Sequence, residues 1–281
     1  MDEVKNRIAH FFDVDSSEYF AHKYVKGGDS FMALRKERAH DVLSTHVAPS
    51  FHDGFRFLDC GCGPGILLDV LGRHNIRYWG IDISEEMLKL ANGQRADKSV
   101  VAGQQQLIRG DVESLPFQSE SFDAAASLGV IEYLEADDRL VAEMTRIVKP
   151  DGYLLIAVTN RHSYNLLLEG PLNFLRKNWL AARFLNSVKV GLKLGQFRQM
   201  EFEKRRHAPE EFIERLGRHN LRVIDTVSWG FNVLPHPLHH VCGSRLNRYA
   251  NAVYDKSKRS RIKLLGEGYM VLCQRRQSVS Q

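Results

Sequence analysis

The sequence predicts an α/β fold built on a parallel sheet covered by helices on both faces. Three observations carry that expectation. Between Phe55 and Val158, short apolar runs of strand type alternate with helical patterns. Asp59, Asp82 and Asp111 each stand at the carboxyl end of one of those strands. The first strand runs directly into a turn with glycine on alternate positions, Gly61, Gly63 and Gly65, and the helical spacing Ile66, Leu67, Val70, Leu71 follows at once.

Taken in order, the chain opens with two helical patterns between Val4 and Val47. Val4, Ile8, Phe11 and Phe12 make one apolar stripe; Phe31, Leu34, Val42, Leu43 and Val47 make the other, with Arg35, Lys36, Glu37 and Arg38 on its expected solvent face. Gly27-Gly28 separates them, Asp29 or Ser30 can cap the second, and Pro49 ends it. The first strand ends at Asp59 and the second, Arg77 to Ile81, at Asp82. Ser84 caps the next helix, Glu85 and Glu86 favour its first turn, and Met87, Leu88 and Ala91 form its buried side. A third strand near Gln106-Leu107-Ile108 leads to Asp111, and a fourth runs from Phe122 to Leu128 into Gly129. The helix burying Leu140, Val141, Met144, Ile147 and Val148 stops at Lys149-Pro150-Asp151-Gly152, and Tyr153 to Val158 is the fifth strand. Pro209-Glu210-Glu211 starts a later helix, Leu221 to Trp229 reads as a strand, and Gly268 to Cys273 is the last. The expected organisation is an N-terminal helical cap (1–50), a core (51–158 and 207–275), a helical insertion serving as a lid (159–206) and a second insertion (230–263).

Composition excludes several classes. The 281 residues are 43% hydrophobic and 26% charged, in the range of a globular protein with a sizeable core. No apolar run approaches the roughly 18 residues needed to span a bilayer. The N-terminus, MDEVKNRIAHFF, has acids where a signal peptide has basic residues, so the expected location is cytoplasmic. Cys60 and Cys62 lie in the glycine turn and Cys242 and Cys273 stand apart, without C-x-x-C or zinc spacing, which predicts reduced thiols. His236-Pro-Leu-His239-His240 has prolines and no acid cluster beside it; it reads as a loop, and no metal site is expected. The net charge of +5 is concentrated in 159–206, which is both apolar (Leu166, Leu172, Trp179, Phe184) and basic (Arg176, Lys177, Arg183, Lys189).

The chemistry gathers at the carboxyl edge of the sheet, where open parallel sheets bind ligands. Glycine there permits positive φ and brings backbone close to a ligand. Asp82 follows the turn by the roughly 20 residues expected of an acid that accepts both hydroxyls of a ribose. Asp111 suits an exocyclic amine. Each acid has an alternative as a helix cap. Together they point to a nucleoside.

Four stretches carry a family resemblance. FLDCGCGPG, YWGIDISEEML, GDVESLPFQSESFDAAASLGVIEYL and RIVKPDGYLLIAV resemble, in order and spacing, the motifs of class I S-adenosylmethionine-dependent methyltransferases, most nearly the type 11-like small-molecule subgroup. Asp151 departs from that pattern, standing where the family has the first glycine of L-K-P-G-G. The resemblance implies a Rossmann-like, doubly wound seven-stranded sheet of order 3-2-1-4-5-7-6 with the last strand antiparallel, and S-adenosyl-L-methionine as cofactor. It implies that Asp59, Gly61, Gly63 and Gly65 surround the methionine part. Asp82 would bind the ribose hydroxyls and Ile83 would pack on the adenine; Asp111 and Val112 would flank the adenine, the acid taking its amino group; Leu128 would face the sulfonium, and Met87 is expected among the cofactor-binding residues.

Methyl transfer from a sulfonium is an in-line displacement, which rewards positioning and exclusion of water. A hydroxyl or carbon nucleophile also needs a base. The candidates are Glu132, Tyr133, His162 and His207, with Tyr164, His236, His239 and His240 as further options. The greasy, cationic insertion predicts a small amphiphilic, anionic or hydrophobic acceptor of lipid, quinone, glycolipid or secondary-metabolite type, and peripheral membrane contact through 159–206. The alternatives are an RNA (tRNA or rRNA) methyltransferase and a non-catalytic adenosylmethionine-binding protein. Against nucleic acid, Leu128-Gly129-Val130-Ile131 stands where base-methylating enzymes carry Asn/Asp-Pro-Pro-aromatic, and no RNA-binding module is evident. The intact glycines and acids argue for a working cofactor site.

Overall fold

The computed structural model describes residues 3–20, 31–71, 74–96, 105–163, 204–231 and 265–277. Its centre is a seven-stranded sheet: β1 (Arg56–Cys60), β2 (Arg77–Asp82), β3 (Gln105–Arg109), β4 (Phe122–Leu128), β5 (Val148–Thr159), β6 (Leu221–Trp229) and β7 (Gly268–Arg275). The order is β3-β2-β1-β4-β5-β7-β6. β1 to β5 pair in parallel, while β7 runs antiparallel to both β5 and β6. This is the order and the antiparallel strand that the resemblance implies.

The described helices are α1 (Glu3–Phe20), α2 (Phe31–Val42), α3 (Ile66–Leu71), α4 (Glu85–Ala96), α5 (Asp137–Ile147) and α6 (Pro209–Arg218). Every residue of β1 from Phe57 to Cys60 is buried, as in a strand covered on both faces. Successive side chains still divide between two cores. Leu58 and Ala125 pack with Leu140, Met144 and Phe212 of α5 and α6. Phe57, Ala124 and Ala126 pack on the other face with Leu34, Leu67, Leu71 and Trp229. Each fully buried aliphatic or aromatic side chain contributes about 1.5–3 kcal/mol of transfer free energy. The alanines of β4 leave room for helices on both sides.

Three expectations are corrected in detail. Arg35 and Arg38 are not on a solvent face: they are 5% and 6% exposed while Glu37 between them stays exposed, and the Arg35 guanidinium is turned inward against Gly129. β3 stops at Arg109, two residues before Asp111, because Gly110 donates to the Asp82 carbonyl (2.9 Å) and the Asp111 carboxylate turns back onto the Glu113 N–H (2.9 Å). β5 begins at Val148 rather than Tyr153. Its pairing with β4 steps from Phe122–Val148 to Ala124–Tyr153, and Asp151, at φ 62°, absorbs the extra residues.

Most of the two insertions, with Tyr164, His236, His239, His240 and Cys242, lies outside the described residues. Cys60, Cys62 and Cys273 are free and buried. Among the described residues no helix is long and apolar enough to cross a membrane, and no group of three or more His, Cys, Asp or Glu gathers as a metal site.

Candidate functional site

A cleft opens at the carboxyl edge of β1, β2, β3 and β4. It is lined by Asp59, Gly61, Gly63, Asp82, Ile83, Met87, Asp111, Val112 and Leu128, nine of the ten residues expected to hold a cofactor. The tenth, Gly65, sits one layer back. It takes φ 80°, and a Cβ there would press on Ala91 of α4, so its work is to let α4 approach the turn.

The backbone donors of the turn are already bonded, most of them to β2. Gly61 and Cys62 both donate to the Ile81 carbonyl (2.7 and 3.1 Å), Gly63 donates to Asp82 Oδ2 (2.8 Å), Pro64 has no N–H, and Gly65 donates to the Cys62 carbonyl (3.0 Å). Gly61 and Gly63 reach φ 72° and 51°. At Gly61 a Cβ would strike Val130, whereas at Gly63 it would meet nothing, since that face opens into the cleft.

Asp82 is oriented by this arrangement. Its Oδ2 is held by Gly63 and its Oδ1 accepts the Ser84 N–H (2.9 Å), leaving lone pairs on both oxygens. Burial raises its pKa, and the backbone donors oppose that rise. Ser84 caps α4 by accepting from Met87 N–H (3.1 Å) and donates to Asp13 of α1 (2.6 Å), which also accepts from the Glu86 N–H (3.2 Å). Glu85 and Glu86 face solvent and pair with Arg109 and Lys89.

Asp59 is fully enclosed. Its Oδ2 accepts the Tyr78 hydroxyl (2.8 Å). Burial pushes its pKa up to about 7; the Tyr78 bond and the nearby Arg35 guanidinium oppose the rise, and Asp82 adds to it. Arg35 lines the cleft at its Gly129 end, where Gly129 has φ 71° and both Arg35 and the Glu132 carboxylate crowd the point at which a Cβ would stand.

The expected base candidates separate. Tyr133 lines the cleft, with Phe12 of α1 edge-on at 5.4 Å and the Lys204 ammonium 5.3 Å from its ring centre. Glu132 is buried outside the lining, where it accepts the Thr159 hydroxyl, while its carbonyl accepts the Arg205 N–H (3.0 Å). His162 stands outside the cleft, 3.7 Å from Glu210. His207 is also outside, buried with Nε2 3.1 Å from Asp137 Oδ1. Asp137, completely enclosed, also holds Arg205 (2.6 Å) and Arg215. Burial works against its charge, but these three partners keep its carboxyl below the usual range.

Sequence reasoning missed α1 as part of the lining. Lys5, Ile8 and Phe12 share one face of α1 and all reach the cleft. Lys5 Nζ bridges Asp111 Oδ2 (2.6 Å) and Glu113 Oε2 (2.5 Å). The i, i+3, i+7 spacing was visible, but nothing local marked this face as ligand-facing.

Residues 58–156 match the family described as Methyltransferase domain. The biotin biosynthesis bifunctional protein BioHC of Teredinibacter turnerae is 30% identical over 56% of this chain and 27% of its own length. The ubiquinone biosynthesis O-methyltransferase of Mesorhizobium japonicum is 28% identical over 65% of this chain and 66% of its own. The chain thus spans less than two thirds of either relative. Among solved structures, magnesium protoporphyrin IX methyltransferase (ChlM) from Synechocystis PCC 6803 with bound SAH superposes with a TM-score of 0.61 at 16% identity, covering 97% of this chain and 100% of that one.

Proposed function

We propose that the chain, whose residues 58–156 match the family described as Methyltransferase domain, transfers the methyl group of S-adenosylmethionine to a small amphiphilic or hydrophobic acceptor. One observation carries the choice of cofactor. From Gly61 to Gly65 every backbone donor is already bonded, to Ile81 and Asp82 of β2 or to Cys62, so no cradle of N–H groups remains there for a pyrophosphate. The cleft instead offers acceptors: Asp59, Asp82 and Asp111. That set fits a ligand rich in hydroxyl, amine and ammonium donors and free of phosphate.

When bound, the sulfonium supplies a methyl group open to in-line attack. The chain's own residues bind, orient and exclude water. Asp82 accepts the ribose hydroxyls on lone pairs left by its two backbone bonds, and Asp111 accepts the adenine amine, with Ile83, Met87 and Val112 as the apolar bed. Asp59 faces the ammonium and Arg35 the carboxylate of the methionine part. Phe12, Val130, Tyr133 and Leu134 line the remaining end of the cleft and favour an apolar or aromatic acceptor. Tyr133 is the base candidate within that lining; its hydroxyl can hold or relay the acceptor's proton. Glu132 supports the Gly129 corner from behind.

Titration calorimetry with S-adenosylhomocysteine and with NAD tests the first step: the former binds, the latter does not. Absence of adenosylhomocysteine binding by the folded protein would sink the proposal. A radiolabelled methyl-transfer screen of prenylated phenols and quinols against total tRNA tests the second, and label appearing only in RNA would overturn the acceptor class.

A further inference from the structure

We infer that Lys5 of α1 is a positioning residue that makes the cleft selective for an amino-bearing purine. The inference rests on the proposed cofactor reading and extends it to a residue on the N-terminal helix. Asp111 and Glu113 are two carboxylates two positions apart, beyond the end of β3, at the lip of a mostly apolar cleft. Glu113 is largely enclosed, its side chain 6% exposed, and Asp111 is 26% exposed. Two such carboxylates without a counter-charge repel, and the more exposed one swings toward water. Lys5 prevents this by donating to both, at 2.6 and 2.5 Å.

The geometry then fixes which part of Asp111 faces a ligand. Oδ1 accepts the Glu113 N–H (2.9 Å) and Oδ2 the Lys5 ammonium (2.6 Å). Each oxygen has one lone pair left, and the plane of the carboxylate is set by two donors at fixed positions. An acid held in place in this way accepts from an exocyclic amine and offers nothing to a base without one. Burial would draw the Lys5 ammonium down, but its two carboxylate partners hold it above its ordinary range, so it stays charged wherever the protein is handled. α1 itself is anchored independently at Asp13, which takes the Ser84 hydroxyl and the Glu86 N–H. Loss of the Lys5 charge therefore loosens Asp111 while α1 keeps its second attachment.

The experiment compares two ligands on three proteins. Binding of S-adenosylhomocysteine and of its purine analogue, with hydrogen in place of the 6-amino group, is measured by calorimetry for the wild type, Lys5→Met and Lys5→Arg. Lys5→Met keeps an apolar stem and removes the donors. The expected result is about tenfold preference for the amino form in the wild type, collapse to within about twofold in Lys5→Met through weaker binding of the amino form alone, and recovery in Lys5→Arg. Equal weakening of both ligands in Lys5→Met would make Lys5 a simple clasp, tighter binding of the amino form would make it a competitor, and an unchanged preference would leave it without influence; each overturns the inference. Thermal unfolding of Lys5→Met checks that the fold is intact. Failure of the wild type to bind S-adenosylhomocysteine at all instead strikes the cofactor reading beneath it.

Discussion

Asp59 ties ligand binding to pH. Its carboxyl is enclosed, bonded to Tyr78, and raised by burial to about 7, against an ordinary value of 3.8. In the proposed reading it faces a ligand ammonium, which only its ionised form attracts. With a free-state value near 7 and a bound-state value well below it, affinity follows the ionised fraction, and the dissociation constant rises about tenfold between pH 8 and pH 6. The measurement is calorimetry with S-adenosylhomocysteine at those two values, on the wild type and on Asp59→Asn. The Asn side chain still accepts the Tyr78 hydroxyl, so its profile isolates titration belonging to the ligand or to other groups. A wild-type dissociation constant that changes less than twofold, or an Asn variant with the same profile, refutes the assignment.

The same group makes a stability prediction of opposite sense. A carboxyl whose folded pKa is raised binds its proton more tightly in the folded state than in the unfolded one. Its contribution is therefore full below about pH 4 and is lost as pH rises through about 7, a change on the order of 4 kcal/mol. Asp59→Asn removes the penalty. The variant should unfold at higher temperature than the wild type at pH 8 and at nearly the same temperature at pH 4.5. The residue that would bind the ligand thus costs the empty fold stability at the pH where it binds best.

Three further outcomes are expected. Asp82→Ala removes two backbone-anchored acceptors and should weaken S-adenosylhomocysteine binding by at least about a hundredfold in calorimetry; unchanged affinity in a folded variant refutes the ribose role. Gly61→Ala must hold φ 72° and force a methyl against Val130, so urea titration should report a loss of about 2–4 kcal/mol, and a loss under about 1 kcal/mol would mean the turn adapts. Asp137→Ala leaves Arg205, Arg215 and His207 around an emptied acceptor; since the two arginines are about a third exposed, the cost is about 2–4 kcal/mol by urea titration at pH 7. Because the Asp137 carboxyl is held below its ordinary value, its contribution is present above about pH 4 and is lost on further acidification, so wild type and variant should converge in stability at low pH.

The sheet was legible because its strands announce themselves locally. Phe122 to Leu128 and Leu221 to Trp229 are bounded in the sequence as they are in the structure, the first by a turn and Gly129, the second by Asn220 and Gly230, both at positive φ. The acids at the strand ends were legible for the same reason, being one or two residues from an apolar run. What the sequence hid is tertiary. Arg35 and Arg38 lie in a helix whose charged positions look solvated until neighbouring segments cover them. Lys5 meets Asp111 across 106 residues, and no periodicity in α1 distinguishes a face that covers a ligand from one that covers a core. His207 shows the same limit from the other side: a histidine before a helix start suggested chemistry, and only the fold reveals that its Nε2 lies against the enclosed carboxylate of Asp137, outside the cleft.

The electrostatics of the cleft follow from that division between local and distant contributions. The core strands bring three carboxylates to one edge, and such a set would repel itself in an enclosed, mostly apolar space. Among the described residues, the N-terminal helices supply the two cations of the lining, Lys5 at the Asp111 end and Arg35 at the Gly129 end. The first bridges a pair of acids, and the second opposes the rise in the pKa of Asp59 without cancelling it. What remains is an acid-rich interior in which Asp59, raised to about 7, carries a variable charge. A cationic sulfonium carrying an ammonium is matched by that remainder better than its neutral-sulfur product, and the difference grows as Asp59 ionises. The N-terminal helices therefore do more than brace the core: they set Lys5 and Arg35 against the strand-end acids, and without Arg35 the Asp59 carboxyl would hold its proton more tightly.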